Sequence, residues 1–161
     1  VEISLRVPYD EQRLRRSIRF VLRPSVKKLR IAGLIMTPIG VLLLFTSVFT
    51  GTGWLVPAAL IVLGLLYAFA LEPFMVRQSL RAQNAATRQD YDLTVDEAGF
   101  TMKAESYEQR MAWSTIQRVD EQPDAWFLVI SKLQALAVHK DLMTEEQQRQ
   151  FVAILAQHAP A

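Results

Sequence analysis

The chain has 161 residues, 51% of them hydrophobic, a formal net charge of +2 and no cysteine. That length suits one compact domain plus an anchor, and the missing cysteine excludes disulfides, zinc–thiolate sites, iron–sulfur clusters and a thiol nucleophile. The small net charge hides three blocks: residues 1–30 carry nine Lys/Arg against three Asp/Glu, residues 31–71 carry neither, and residues 72–161 carry nine against thirteen.

The first element is "VEISLRV". Ile3, Leu5 and Val7 alternate with Glu2, Ser4 and Arg6, the period of a half-buried strand. Pro8 ends it, and Asp10 can cap a helix running to about Leu22. Leu14, Ile18, Val21 and Leu22 share one face of that helix; Arg13, Arg16, Arg19 and Arg23 lie opposite, with Phe20 on the arginine side. Pro24 is expected to break or kink the helix before the next segment. Residues 1–30 therefore read as an N-terminal strand and a basic amphipathic helix. Arg13, Arg16, Arg19, Lys27 and Lys28 are its candidate contacts with lipid headgroups or a partner. An interfacial helix usually carries aromatics on its apolar stripe, and the strand needs a sheet. Strand and helix are accordingly expected to pack on the C-terminal domain, with Arg13, Arg16 and Arg19 spread between its acidic rim and the lipid.

From Ile31 to Leu71 there is no Asp, Glu, Lys, Arg, His, Asn or Gln. One bilayer crossing takes about 20 apolar residues, so these 41 residues predict two helices, at about 31–50 and 54–71, joined by a turn at "GTGW". Trp54 suits the headgroup level. The run is too long for a cleaved signal peptide. Eight basic residues between Arg13 and Arg30 precede the first helix, and Arg77, Arg81 and Arg88 follow the second. The positive-inside rule thus predicts both termini in the cytoplasm. Gly64 and Ala68 form a small-xxx-small pair, read as packing of the hairpin on itself in preference to a dimer face. With no ionisable group in the segment, transport by this chain alone is not expected.

Residues 72–89 read as a linker helix after Glu72-Pro73. Residues 90–161 read as a small domain. Its expected strands are "YDLTV", "FTMKA", "YEQRMAW", "IQRVDE", "WFLVIS" and "LAVHK", with turns at "DEAG", where Gly99 is free to take positive φ, at "QPDA" and at "KLQA". A final helix, "TEEQQRQFVAILAQH", starts at Thr144, and Gln147 completes a capping box. Trp113, Ile116, Trp126, Leu128, Phe151 and Leu155 are the expected core.

Catalytic constellations are sparse. His139 and His158 are the two histidines, and neither has a partner at metal-ligand spacing. Ser106, Ser114 and Ser131 lack a nucleophile-elbow pattern, Asp90 and Asp92 share a strand face as solvated surface, and no glycine-rich phosphate loop occurs. No catalytic residue, cofactor or metal is expected. Nor is nucleic acid, because the folded domain is acidic and the basic block abuts the apolar segment.

The segments "DEAGF", "WSTIQRVDE" and "AVHKDLMTEEQQRQFVAIL", after an N-terminal strand and a two-helix hairpin, resemble the bacterial YcxB-like family. The resemblance implies an α+β membrane protein of the bacterial cytoplasmic membrane, with a pleckstrin-homology-like cytoplasmic domain: a curved antiparallel sheet closed by a C-terminal helix. It brings no reaction and no catalytic residue. The family's expected proline-lysine near residues 139–141 is replaced by His139-Lys140-Asp141. The expected function is a non-enzymatic, membrane-anchored interaction or scaffold module that binds a protein partner, another copy of itself or lipid headgroups. The alternatives are an accessory subunit of a membrane enzyme or transporter, or a protective protein against a membrane-acting toxin.

Overall fold

The computed structural model describes residues 1–159; the last two residues of the expected domain, 160 and 161, lie outside the described residues. The chain divides into two compact units, residues 1–17 with the chain from Ala82 onward, and Ile18–Arg81.

In the first unit, β1 (Ile3–Val7), β2 (Tyr91–Val95), β3 (Gly99–Ala104) and β4 (Glu108–Ala112) form a four-stranded sheet in that order. A second sheet holds β5 (Arg118–Glu121), β6 (Ala125–Ser131) and β7 (Gln134–His139). Every pairing is antiparallel. The alternation read in "VEISLRV" sets the register of the first pair: Ile3, Leu5 and Val7 lie opposite Val95, Leu93 and Tyr91. Ile3, Leu5 and Val7 are buried while Ser4 and Arg6 face outward. Thus the first and second strands of this sheet are separated in sequence by the whole helical unit.

The two sheets are linked by a 3-10 turn at Trp113–Thr115. Trp113 is buried there, not in a strand, and its indole Nε1 donates to the Asp96 carbonyl at 2.9 Å. One core joins both sheets through Leu93, Val95, Phe100, Ile116, Trp126, Leu128 and Val138. The C-terminal helix Glu145–His158 supplies Phe151 and Ile154, fully or nearly fully buried, with Leu155 packed beside them. Its start has the expected capping box: Thr144 Oγ1 accepts from the Gln147 amide and Gln147 Oε1 from the Thr144 amide. The His158 ring, at the end of this helix, stacks on Trp113 with centroids 6.1 Å apart. Gly99 closes the expected 96–99 turn, its carbonyl accepting from the Asp96 amide at 2.9 Å, has the expected positive φ, and also begins β3. The close approach of β4 adds a second demand for glycine, because a Cβ there would lie 2.0 Å from the Met111 carbonyl oxygen. The "KLQA" turn is also tighter than expected, with Gln134 already in β7 and Gln134 paired to Ser131.

The helical unit departs from expectation at Pro24. Helix α1 runs unbroken over Glu11–Thr50, with Pro24 and Pro38 inside it. Each proline removes one backbone donor and crowds the preceding turn; Phe20 and Val26, on either side of Pro24, are both buried. Phe20 is buried, and the Arg23 guanidinium lies 5.9 Å from its ring centroid, as expected for a residue on the arginine side. Asp10 caps α1, accepting from the Gln12 amide at 2.9 Å. Gly51, at φ +67°, turns the chain.

The return helix comprises α2 (Leu55–Leu65), a π turn (Leu66–Ala70) and α3 (Leu71–Ala82), a continuous 28-residue run. The expected linker helix over 72–89 is thus partly absorbed: it continues the second helix to Ala82 and stops, and a 3-10 turn over Ala85–Arg88 follows. α4 is the C-terminal helix Glu145–His158. The α1 and Leu55–Ala82 helices are long and apolar enough to cross a membrane, and 17% of the most apolar window of each is buried within the protein. Between residues 31 and 71 the buried positions are Gly33, Gly40, Ser47, Pro57, Gly64 and Ala68, most of them small. A Cβ on Gly33 would sit 2.5 Å from the Gly64 carbonyl oxygen, and one on Gly64 would sit 2.4 Å from Thr37 Oγ1. The two helices therefore meet backbone to backbone through these residues, the self-packing read for Gly64 and Ala68.

Candidate functional site

The polar side chains of the sheet unit converge where the first turns of α1 meet the loops of the second sheet. The N-cap at Asp10 starts the helix directly after β1, so Arg13 and Arg16, one turn apart, face two acidic turns. Arg13 Nη2 donates to Asp141 Oδ2 at 2.6 Å, and its Nε lies 3.7 Å from Asp10 Oδ2. Arg16 pairs with Asp124 in the turn before β6. The preceding loop is held by the Tyr9 amide, which donates to Asp90 Oδ1 at 2.8 Å.

The "His139-Lys140-Asp141" segment supplies much of this corner. His139 ends β7, and Lys140–Leu142 forms a 3-10 turn. Lys140 Nζ lies 2.7 Å from Glu121 Oε1 and 4.5 Å from the Trp126 ring centroid, so its charge is satisfied on one side by a carboxylate and on the other by a π face. Its amide donates to the Asp124 carbonyl at 3.0 Å.

His139 is buried at 7% exposure. Burial pushes its pKa down; the Arg13 and Arg16 guanidiniums add to this, against the opposing pull of Asp141 and Asp124. Burial also pushes the Tyr91 phenol up to about 12, with Tyr107 adding and Arg13 opposing. Burial acts to raise the Asp124 carboxyl, but the hydrogen bond and charge of Arg16 outweigh it and hold the pKa below its ordinary value. At neutral pH the corner therefore contains a neutral imidazole and a neutral phenol between paired charges.

A groove of about 170 Å³ opens here, lined by Tyr9, Arg13, Tyr91, Met102, Ala135 and His139 among others. Arg13 Nη1 is buried and has no hydrogen-bond partner, the one such side-chain atom among the described residues. A second, shallower basin of about 520 Å³ lies over β1–β3 and is bordered by Arg6, Asp90, Asp92, Lys103 and Glu105. Its alternating charges face one another across the strands, Arg6 opposite Asp92 and Asp92 opposite Lys103.

The other sequence candidates fall elsewhere. Arg19 belongs to the helical unit, where its Nε lies 3.1 Å from Glu72 Oε1. Arg30 Nη2 holds the other Glu72 oxygen at 2.7 Å, and its Nε donates to the Ala68 carbonyl in the π turn at 3.2 Å. Lys27 and Lys28 are exposed and form no ion pair among the described residues. Trp113, Ile116, Trp126, Leu128 and Phe151 are core, and Leu155 is half-buried against it. Ser106 donates to Gln89 and Ser131 accepts from the Leu133 amide; no hydrogen bond links His139 to either or to Ser114. No group of His, Asp and Glu that could hold a metal ion occurs among the described residues. Sequence reasoning named Arg13, Arg16 and His139 but not Asp124, Tyr91 or Met102 as their neighbours. The one available signal was the acidic residue in each of the turns "QPDA" and "HKD".

With that geometry described, the family model for YcxB-like protein matches residues 95–155, from the end of β2 into α4. No curated protein and no solved structure matches the chain.

Proposed function

We propose that this protein is a non-enzymatic, membrane-anchored interaction module. In this reading its helical unit crosses the bacterial cytoplasmic membrane twice, and its sheet unit is a pleckstrin-homology-like cytoplasmic domain that binds a protein partner or lipid headgroups. The observation that carries the reading is the opposite use of apolar residues in the two units. Over its apolar stretch 31–71 the helical unit exposes Leu42, Val48, Phe49, Val56 and Phe69, each 64–74% accessible, and packs mainly through glycine, alanine and serine. Lipid tails favour that arrangement, because they solvate large apolar side chains and leave close backbone contact to hold helices together. The sheet unit has its own complete core, as a water-facing domain requires.

Two antiparallel sheets of four and three strands closed by a C-terminal helix support the pleckstrin-homology-like assignment. That fold commonly serves binding, which is an argument by analogy of fold. The topology follows from the charge blocks: the 51–54 turn is uncharged, whereas Arg23, Lys27, Lys28, Arg77 and Arg81 flank the apolar stretch on its other side.

The test uses the full chain in intact cells. Thr52→Cys and Gln83→Cys are made singly in the cysteine-free background and treated with a membrane-impermeant thiol reagent. Thr52→Cys is expected to label from outside and Gln83→Cys only after permeabilisation. Labelling of Gln83→Cys in intact cells, or release of the chain from membranes by alkaline wash, would overturn the reading.

A further inference from the structure

We propose that the groove beside Arg13, Tyr91 and His139 is a binding site for a small, uncharged, largely apolar molecule that carries a carbonyl acceptor, such as a short amide or ester. It goes beyond the membrane-module reading, because it places a ligand within the sheet unit itself and holds whichever partner that unit docks.

Three observations carry the assignment. The first is an excess of donors. Arg13 Nη1 is buried and unpartnered. Among the described residues the Tyr91 hydroxyl makes no hydrogen bond, and Gln89 uses its amide oxygen on Ser106 at 3.0 Å, which leaves its NH2 group to donate. A buried donor without an acceptor is costly, so a ligand that belongs here contributes acceptor oxygen. The second is charge. Arg13 and Arg16 already face Asp10, Asp141 and Asp124, and His139 is held neutral by burial and by the two arginines. A carboxylate or phosphate would be a fourth anion against two cations, and an amine would compete with both arginines for the carboxylates. A neutral carbonyl meets neither objection. The third is shape. Val7, Leu14, Met102, Ala135, Leu136 and Ala137 make most of the wall apolar, around a groove of about 170 Å³. A small organic molecule fits a groove of this size. Such a pocket, apolar with a few convergent polar groups, is the common form of a small-molecule site.

Met102 gives the experiment a reporter. The chain has five methionines; Met102 lines the groove, whereas Met36 and Met75 lie in the helical unit. The full chain, labelled with 13C at its methionine methyls and held in uncharged detergent, is titrated with N-butylacetamide, hexanoate and hexylamine as probes of similar size. The amide is expected to shift the Met102 methyl saturably, leave Met36 and Met75 in place, and bind at least tenfold more tightly than either charged probe. Ala135→Leu, which fills the groove without touching Arg13, should abolish the saturable shift. Arg13→Lys, which keeps the charge facing Asp141 but loses the forked donors, should weaken binding about tenfold. Stronger binding of hexanoate, an unchanged titration in Ala135→Leu, or a non-saturating shift of all five methyls, meaning partition into the micelle, would each overturn the proposal. So would the absence of any shift up to the solubility limit, which would assign the groove to water.

Discussion

The two units of this chain bury opposite kinds of residue. The sheet unit hides Ile3, Leu93, Val95, Phe100, Leu128, Val138 and Phe151 almost completely. Over its apolar stretch 31–71 the helical unit hides Gly33, Gly40, Ser47, Pro57, Gly64 and Ala68 and turns many leucine, valine and phenylalanine side chains outward, while Phe20, Val26 and Val76 are buried outside that stretch. In the first, the gain on folding is apolar area removed from water, about 25 cal/mol per Å². In the second that gain is absent wherever the surroundings are themselves apolar, and helix pairing rests on close contact between backbones. The units also differ in how their edges are closed. The hairpin is made of residues contiguous in sequence, whereas the sheet unit has to recruit β1 across the whole of that hairpin.

The largest test of this contrast removes residues 1–8. Ile3, Leu5 and Val7 leave the core together, each worth roughly 1.5–3 kcal/mol of burial, and β2 loses its paired edge. The summed loss rivals the whole stability of a typical domain, about 5–15 kcal/mol. The sheet unit is expected to lose its cooperative unfolding transition, read by Trp113 and Trp126 fluorescence, while the helical content of the hairpin persists in detergent. A truncated chain that still unfolds cooperatively would mean that β1 is an accessory edge and that the two units are independent in folding.

A smaller effect should distinguish the hairpin's packing. Gly64→Leu puts side-chain atoms where the Thr37 hydroxyl already lies within 2.4 Å of the first added carbon, and overpacking of this kind costs about 1–3 kcal/mol. Phe49→Ala removes a far larger group from a position 74% exposed. In detergent, Gly64→Leu is expected to lower the melting temperature of the helices and Phe49→Ala to leave it within error. The reverse ranking would show that large side chains hold the hairpin together.

The smallest expected effect is on pH dependence, and it belongs to the sheet unit. His139 has a folded pKa below its ordinary 6.5. The unfolded chain therefore takes up the proton first as pH falls, so the contribution of this residue is present above about 6.5 and is lost below it. Stability measured by denaturant at pH 7 and pH 5 should drop in the native sequence, and the drop should shrink in His139→Gln. An equal drop in both would assign the sensitivity to carboxylates instead; Asp124, whose pKa is also lowered, loses its contribution only as pH falls through the carboxylate range.

Much of this architecture was legible residue by residue. The period of two at Ile3, Leu5 and Val7 carried the strand and its buried face. The capping box at Thr144 and Gln147 fixed the start of α4, and the uncharged run from Ile31 carried the two apolar helices and their turn. The matches share a cause: each depends on neighbours within a few positions. The misses share one too. Pro24 reads as a break or kink by local rules, yet the helix passes through it without a break. Gly99 reads correctly as a turn residue with positive φ, but the close approach of the Met111 carbonyl on the next strand is not visible in its window. The candidate site was half visible: Arg13, Arg16 and His139 stood out as cations and a lone imidazole, but their partners lie 108 and 128 positions away for Arg16–Asp124 and Arg13–Asp141.

What the sequence determined alone was therefore which segments are helix and which strand, where the charge blocks fall, and that one stretch is apolar on all sides, because propensity, capping and hydropathy are properties of short windows. Only the tertiary structure decided that β1 completes a sheet begun 84 residues later, as in Val7 opposite Tyr91, and that Arg13, Asp141, His139 and Tyr91 enclose one groove. Those contacts arise from burying shared apolar surface and compensating charges between distant segments. No window of the chain contains both halves of such an interaction.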